Sequence, residues 1–225
     1  MEIVGQEEKR TLSVHKEHEF LLKLEAAGLN DDIAQKVISS KNNELAKKAV
    51  NFIQCGGVVG ADSRFPFLKE FKLTIPTNYV PATRLDTFKA AHKDEFYDYN
   101  NDITDKNFAK VSHQLIPGKT YKVKFFGITQ RVSSEDCLKV YRANRAYYTG
   151  AQGASVLYEL KKEELIKGKW HCSFDEKDNL PFLGGYHWVP SVYAYSSGDF
   201  RFDLGNFEFD WFDSRVLVLL CDCDE

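Results

Sequence analysis

The sequence predicts an α+β fold, with a small N-terminal three-helix module followed by a mostly antiparallel β-rich domain that carries two or three helices. Before residue 57, apolar residues recur at helical spacing. After residue 64, short segments alternate apolar and polar residues, as strands do. The chain also holds 17 Phe and 11 Tyr but one Met, which favours a rigid β-rich interior. The predicted domains are residues 1–57 and 64–225, joined by a linker that contains several glycines.

Three short helices are predicted in the N-terminal module. The first covers Glu19 to Ala27 and ends at Gly28. The second begins after Asn30, a favourable N-cap residue, and is expected to bury Ile33, Ala34, Val37 and Ile38. The third follows a cap at Asn42 or Asn43 and ends at the glycine pair 56–57. The first 16 or so residues are polar and are expected to be frayed.

The module resembles the ubiquitin-associated (UBA-like) three-helix family. The residues that carry the resemblance are Leu24, Gly28, Leu29, Ile33, Ala34, Val37, Ile38, Asn42, Asn43, Ala46, Ala49, Phe52 and Ile53. The resemblance covers about thirty residues and implies a compact three-helix shape. That family has a Met-Gly-Phe/Tyr loop after its first helix, which makes its main partner contacts. Ala27, Gly28 and Leu29 stand there in this chain, so the resemblance implies the fold and not ubiquitin binding.

The first half of the body is predicted to contain two strands and three helices. The strands are 71–75 and 119–129, and the helices are 86–99, 104–115 and 133–144. In the second strand, Tyr121, Val123 and Phe125 alternate with polar residues and share one face. Thr104 can cap the second helix, and Ser133 with Asp136 resembles a capping box at the start of the third.

The second half of the body is predicted to be mainly β-structure. Residues 150–155 form a small-residue loop, followed by strand candidates at 156–160 and 170–174, although 154–165 is also compatible with a helix. Segments 191–195 and 200–204 flank Ser-Ser-Gly-Asp, which predicts a hairpin. Residues 215–221 predict a short buried strand.

Bulk properties indicate a soluble cytoplasmic protein. The N-terminus lacks a secretory pattern, and the longest apolar run, residues 216–221, is too short to cross a bilayer. The five Cys are an odd number in a chain of 225 residues, which favours reduced thiols. Cys221 and Cys223 lack the paired C-x-x-C spacing of zinc sites, and no cofactor motif is present, so we expect neither a metal nor a cofactor.

Charge is distributed unevenly along the chain. Residues 64–170 carry a net charge of +7, whereas residues 171–225 carry −8. Within the basic part, a strand and the following helix supply six cations that would share one surface if the two elements are adjacent. These predicted nucleic-acid or anion-binding residues are Lys122, Lys124, Arg131, Lys139, Arg142 and Arg145. Tyr147 and Tyr148 would add stacking surface for bases. An ordinary solvated face explains the same residues.

Catalytic patterns are weak. No G-x-S-x-G elbow is present, and the Pro117–Thr120 segment lacks the first glycine of a phosphate-binding loop. A hydrolase-type site in the Trp-rich part between Trp170 and Trp211 would use His171, Asp175 or His187. Cys137 begins a helix, but its acidic neighbours disfavour a thiolate nucleophile.

Three functional hypotheses follow from these observations. The leading one is a non-catalytic binding or interaction protein that uses the helical module to dock a protein partner, because catalytic signatures are lacking. The second is binding of RNA or single-stranded DNA through the basic surface. The third is the hydrolase-type enzyme. None of the three involves a membrane.

Overall fold

The computed structural model of the chain describes residues 13–26, 29–54 and 62–223. It divides the chain into two compact units, with the division between Val50 and Asn51. The α+β class is confirmed, since helices and an eight-stranded, mostly antiparallel sheet are present. The predicted domain limits at residues 57 and 64 stay predictions, because residues 55–61 lie outside the described part of the chain.

The three predicted helices are present before residue 55, and the division between the two units falls within the third. They are α1 (Val14–Ala26), α2 (Asp31–Ile38) and α3 (Glu44–Gln54). Asn30 caps α2 as expected, because its side chain accepts a hydrogen bond from the backbone N–H of Ile33 at 3.0 Å. The expected cap of α3 is wrong. Asn42 and Asn43 adopt left-handed backbone conformations, with φ of 55° and 58°. The Ser40 hydroxyl instead accepts from Leu45 N–H at 3.3 Å. The expected glycine stops lie outside the described residues.

The helices of this unit do not bury the residues that were expected to form a core. The α2 helix has no buried residue, and Ile38 is 73% exposed. Among residues 13–50, no residue whose burial the structure describes is buried. The prediction that α2 buries its four apolar residues is therefore wrong. Helical periodicity identifies the apolar face of a helix but does not say what covers it.

The body, within residues 62–223, is built on one mixed sheet of eight strands. They are β1 (Phe67–Thr74), β2 (Phe96–Tyr99), β3 (Thr120–Gly127), β4 (Lys169–Cys172), β5 (Phe182–Leu183), β6 (Tyr186–Ala194), β7 (Phe200–Asn206) and β8 (Arg215–Asp222). The order is β1-β3-β8-β4-β6-β7-β2, with β5 paired to β6. The β8–β4 and β7–β2 pairs are parallel, and the other pairs are antiparallel.

Helices cover both faces of this sheet. The first face packs against α4 (Arg84–His92) and α6 (Gly150–Lys161), and the second packs against α5 (Ser134–Ala143). The β8 strand is buried on both faces, since residues 216, 218 and 220 join the first core and residues 217, 219 and 221 join the second. This explains why β8 is a continuous apolar run in the sequence rather than an alternating one.

Several predicted elements are confirmed. Strands β1, β3 and β8, the β6–β7 hairpin and helix α5 occur where the sequence places them, with limits shifted by a few residues. In α5 the Ser133 hydroxyl accepts from the backbone N–H of Asp136 at 3.2 Å, as the capping pattern predicts. The Asp136 carboxylate does not complete the box, because it binds Arg64 and Lys139 instead.

Two predicted helices are wrong in part or entirely. The helix predicted at 86–99 ends at His92, and residues 96–99 form β2, because Phe96 and Tyr99 are buried beside β7. The helix predicted at 104–115 is absent. The Asp105 carboxylate accepts from the first N–H groups of α4, at Leu85 (2.8 Å) and Asp86 (3.0 Å), and this holds the segment as a loop.

Of the two interpretations of residues 154–165, the helix is confirmed, whereas the strand at 156–160 and the loop at 150–155 are wrong. Residues 150–155 and the strand candidate 156–160 together form the single helix α6, in which nine consecutive residues from Gly150 to Tyr158 are buried. A helix that is buried on nearly all sides lacks an amphipathic pattern, so its period is hard to detect. Small residues let α6 approach its neighbours closely: a Cβ on Gly153 would lie 2.0 Å from Thr149 Oγ1.

Candidate functional site

The structure brings three of the six predicted basic residues together. Lys122 and Lys124 project from the second face of β3, and Arg145 follows the end of α5. These three side chains line one polar cavity of about 200 Å³ together with Asn144, Cys221 and Asp222. We call this the basic cavity. The pairing of β1 with β3 places Lys72 opposite Lys122 and the acidic Glu70 opposite Lys124, so β1 adds no net positive charge beside the cavity.

The other three predicted basic residues are placed differently. Arg131 forms an ion pair with Asp210 and lines a separate cavity. Lys139 lies on α5 and binds Asp136 at 2.7 Å. Arg142 is exposed on α5 and does not line the basic cavity. Two of the six cations are therefore paired with carboxylates, which reduces the positive potential that the sequence suggests.

An acidic residue also lies in the wall of the basic cavity. Asp222 binds Lys119 at 2.7 Å and accepts a hydrogen bond from the Tyr147 hydroxyl at 2.7 Å. These contacts, with the Lys119 ammonium first, lower the pKa of Asp222 below its usual value of 3.8. The expected stacking role of Tyr148 is wrong. Tyr148 is buried and stacks on Tyr141, with centroids 5.3 Å apart.

His171, one of the proposed catalytic residues, is a buried structural side chain. Its Nε2 accepts from the backbone N–H of Ile166 at 2.9 Å, and its Nδ1 donates to the Val192 carbonyl at 3.2 Å. Both ring nitrogens therefore have backbone partners. Burial lowers the pKa of His171 to about 4, so the ring is neutral at pH 7.

Asp175 is also buried, and it joins the 104–115 loop to the segment that follows β4. Its carboxylate accepts from the backbone N–H of Ser112 at 3.2 Å, from the Ser112 hydroxyl and from its neighbour Glu176 N–H at 2.7 Å. The Asn179 amide then donates to the Ser112 hydroxyl oxygen at 2.7 Å. Burial raises the pKa of Asp175 to about 6 despite these hydrogen bonds.

Among the described residues, His187 has hydrogen-bond partners different from those of His171 and Asp175. Its Nδ1 contacts Glu208 Oε1 at 2.7 Å, and its backbone N–H donates to Glu208 Oε2 at 3.0 Å. No hydrogen bond of the described residues joins any two of His171, Asp175 and His187. The described contacts therefore do not favour a catalytic arrangement of these three residues.

A polar seam between α4 and α6 is a feature that the sequence analysis missed. Arg84 on α4 is 9% exposed, and it donates from Nε to Ser155 Oγ at 2.9 Å. Its Nη2 lies 2.8 Å from Glu159 Oε2. The guanidinium also lies 5.0 Å from the centroid of the Phe88 ring. Ser155 and Glu159 are four residues apart on α6, a spacing that predicts a shared face once α6 is known to be a helix.

The polar seam continues to the surface through a histidine. His92 Nε2 lies 3.4 Å from Glu159 Oε1, and His92 Nδ1 lies 2.9 Å from Glu95 Oε1. Glu95 also contacts Lys162 and Tyr158, and its pKa falls to about 2, with the Lys162 hydrogen bond as the largest cause. Because each charge of the seam has a partner, the arrangement fits a structural link between two helices.

The buried thiols are poor candidates for chemistry. Burial raises the pKa of Cys137 well above its usual value, and burial likewise raises that of Cys172. Within the described part of the chain, no group of three or more His, Cys, Asp and Glu side chains is arranged to hold a metal ion. No helix of the described residues combines the length and the apolar character needed to cross a membrane.

The N-terminal helices expose large apolar side chains among the described residues. Each helix contributes large apolar side chains that are at least two-fifths exposed: Phe20, Leu21, Leu22, Ile33, Ile38, Leu45 and Val50. We call these seven residues the apolar helical surface. Comparisons of the chain with protein-family models, with curated proteins and with solved structures find no match.

Proposed function

We propose that this protein is an interaction protein whose N-terminal helices bind a protein partner through the apolar helical surface. The single observation that carries the proposal is that large apolar residues on all three helices are exposed while no residue of described burial in this unit is buried. Exposed apolar surface of this kind marks interaction sites in soluble proteins.

The lengths of the helices support the same proposal. They contain 13, 8 and 11 residues. Isolated helices shorter than about 12–15 residues are marginal in water, because few hydrogen bonds offset the cost of nucleation. Most of the stability of such helices comes from covering their apolar face. A partner with an apolar groove would supply that cover, and binding would stabilise the helices.

The test uses the full chain as bait in quantitative affinity capture. The I33D/I38D variant places two carboxylates in the apolar helical surface. The Q35D/K41N variant is the matched control, because it gives the same change in net charge at exposed polar positions of the same region. We expect a protein partner to be captured by the wild type and the control but lost from I33D/I38D.

Binding should then be confirmed with the purified partner. Hydrogen exchange of the backbone amides in α1, α2 and α3 should slow when the partner is added, because covered helices open less often. Equal capture of every partner by I33D/I38D and by the control would rule out this surface as the docking site.

A second candidate function is binding of single-stranded nucleic acid at the basic cavity. The observation that favours it is the convergence of Lys122, Lys124 and Arg145 on one polar cavity. Three phosphate contacts would give a slope of log K against log salt concentration of about −2 for single strands. The Asp222–Lys119 pair in the same region limits the local positive potential.

A fluorescence-anisotropy titration with a single-stranded RNA, at low and physiological salt, tests this second candidate. The K122E/K124E/R145E variant should lose binding. The K93E/K106E/K110E variant carries the same charge change at exposed lysines elsewhere, and it should bind like the wild type. Equal losses in the two variants would mean that overall charge, not the basic cavity, governs the affinity.

A further inference from the structure

Arg215 occupies an unusual position for a charged side chain. It is the first residue of β8, and its guanidinium lies 4.8 Å from the ring centroid of Trp211 and 5.7 Å from that of Trp170. The pairing of β8 with β4 sets the second contact, because Trp170 lies opposite Arg215 in the parallel ladder. Two aromatic neighbours restrict the movement of the guanidinium, whose in-plane N–H groups also contact the Cys172 thiol and can donate to a ligand.

Trp211 is itself held firmly. Its backbone pairs with Val132, and its indole N–H donates to Ser134 Oγ at 2.6 Å. It also packs closely on β7, where a Cβ on Gly205 would lie 2.8 Å from the indole ring. The position of Arg215 therefore depends on rigid neighbours, which is a feature of preorganised binding sites.

The charge of Arg215 has no acidic partner. None of the carboxylates in the described part of the chain forms an ion pair with it, and its Nε is buried without a hydrogen-bond acceptor. A cation that is partly removed from water and has no counter-ion is costly, so an anion that reaches it gains a strong interaction.

Arg215 lines two cavities, of about 410 Å³ and about 380 Å³. The larger one also contains Phe209 and Phe212 in its wall, which are 62% and 49% exposed. Cavities of about 300–1,000 Å³ are typical of small-molecule sites, which combine apolar walls with few polar groups. The larger cavity, which we call the Arg215 cavity, has both components.

Each of the other charged residues that line the Arg215 cavity has an ion-pair partner. Asp210 pairs with Arg131, and Glu208 pairs at 3.2 Å with Lys177, which is not one of the lining residues. Burial would raise the pKa of Glu208, but hydrogen bonds from His187 and Lys177 outweigh it and lower the pKa to about 2. Among the lining residues, Arg215 alone has no ion-pair partner within the described part of the chain, which suits a monoanion better than a phosphate dianion.

We propose that the Arg215 cavity binds an organic monocarboxylate that has an apolar or aromatic body. The planar carboxylate would accept paired hydrogen bonds from the guanidinium edge, and the body would lie against Phe209 and Phe212. The same group occurs on a free small molecule and at the C-terminus of a peptide that ends in an apolar residue. Binding in the Arg215 cavity would require neither the N-terminal helices nor the basic cavity.

Isothermal titration calorimetry of the full chain tests the proposal with named probes. They are 3-phenylpropionate, its neutral amide, the peptide Gly-Gly-Phe with a free or an amidated C-terminus, and inorganic phosphate. We expect at least one free carboxylate to bind and to change the tryptophan fluorescence, with the amides binding about tenfold or more weakly. Binding of 3-phenylpropionate indicates a small-molecule site, and binding of the peptide acid alone indicates a C-terminal carboxylate site.

Variants assign the binding to Arg215. R215Q should reduce the affinity about tenfold or more, whereas R142Q should change it less than about twofold, since Arg142 is exposed on α5 and does not line this cavity. The F209A/F212A variant removes exposed rings without opening a core, so it should fold normally and bind about fivefold more weakly even if R215Q is unstable. Failure of both carboxylates at millimolar concentration, equal binding of the amides or of phosphate, or unchanged affinity in F209A/F212A would overturn the proposal.

Discussion

The backbone N–H of Ser112 donates to the buried carboxylate of Asp175 at 3.2 Å, and this contact joins the 104–115 loop to the segment that follows β4. The carboxylate would also lie 3.3 Å from a Cβ on Gly150, so the start of α6 lies close beside it. Burial is the largest influence on Asp175, and it raises the pKa from 3.8 to about 6.

The first prediction concerns the pH dependence that Asp175 adds to stability. Because its pKa is higher in the folded state, its contribution is fully present below about pH 4 and is lost as the pH rises through about 6. The free energy of unfolding of the wild type, relative to D175N, should therefore fall by about 2–3 kcal/mol between pH 4 and pH 7. Urea unfolding at both pH values measures this difference.

The control for Asp175 is D178N, at an exposed carboxylate three residues further along the chain. Its difference from the wild type should not change over the same pH range by more than about 0.5 kcal/mol. A D175N difference that stays constant between pH 4 and pH 7 would contradict the raised pKa.

The second prediction has the opposite sign and concerns His171. Burial lowers its pKa from 6.5 to about 4, because the folded protein favours the neutral ring. The contribution of the neutral ring to the free energy of unfolding is therefore present above pH 6.5 and is lost as the pH falls toward 4. The H171Q variant retains an acceptor for Ile166 N–H and a donor for the Val192 carbonyl. On acidification from pH 7 to pH 4.5, the free energy of unfolding of H171Q should fall by about 2–3 kcal/mol less than that of the wild type.

Thermal or urea unfolding of H171Q and the wild type at pH 7 and pH 4.5 measures this effect. H113Q is the comparison variant for H171Q, because it makes the same His-to-Gln change at a half-buried ring in the same unit. Parallel stability curves for H171Q and the wild type would show that His171 titrates normally in the folded protein.

The fold could be predicted well where the pattern is local. The β3 strand alternates from Thr120 to Phe125, and α5 begins at a Ser133 cap, so each element is recognisable from neighbouring residues. The start of α6 could not be recognised, because its burial from Gly150 to Tyr158 removes the amphipathic pattern, and only residues 154–165 are compatible with a helix in the sequence. The 104–115 loop depends on Asp105 binding the start of α4, a contact about twenty residues distant.

The candidate sites were predictable to a smaller extent, because they depend on the sheet order. The sequence identifies Lys122, Lys124 and Arg145 as cations, but only the structure shows that Arg131 lies in another cavity. The position of Arg215 beside Trp170 requires the parallel β8–β4 pair, which joins strands over forty residues apart in the chain. Sequence spacing alone does not contain that information.

The third prediction concerns the hydroxyl of Tyr141, which is fully buried in the second core. It donates to the Val218 carbonyl at 2.5 Å and accepts from the Phe174 backbone N–H at 3.0 Å. Y141F should destabilise the body by about 1–3 kcal/mol, because it leaves both backbone groups without this partner. Urea unfolding at pH 7 measures the loss.

Y186F provides the matched control for Tyr141, since the Tyr186 ring is 40% exposed and its hydroxyl has no hydrogen bond among the described residues. Its free energy of unfolding should lie within about 0.5 kcal/mol of the wild type. If Y141F were as stable as Y186F, the Tyr141 hydroxyl would not be holding α5 to β8.

The fourth prediction concerns the close contact at the start of α6. A Cβ on Gly153 would lie 2.0 Å from Thr149 Oγ1 and 2.9 Å from Thr149 Cβ, distances that no side chain tolerates. Alanine is normally the better helix residue by about 1 kcal/mol, but here G153A should destabilise the body by about 1–3 kcal/mol because the overlap dominates. The G153A/T149G variant also removes the opposing Thr149 side chain. Its loss of stability should therefore be smaller than the sum of the losses in the two single variants. A double-mutant cycle from urea unfolding at pH 7 measures the coupling, and strict additivity would mean that α6 does not start against Thr149.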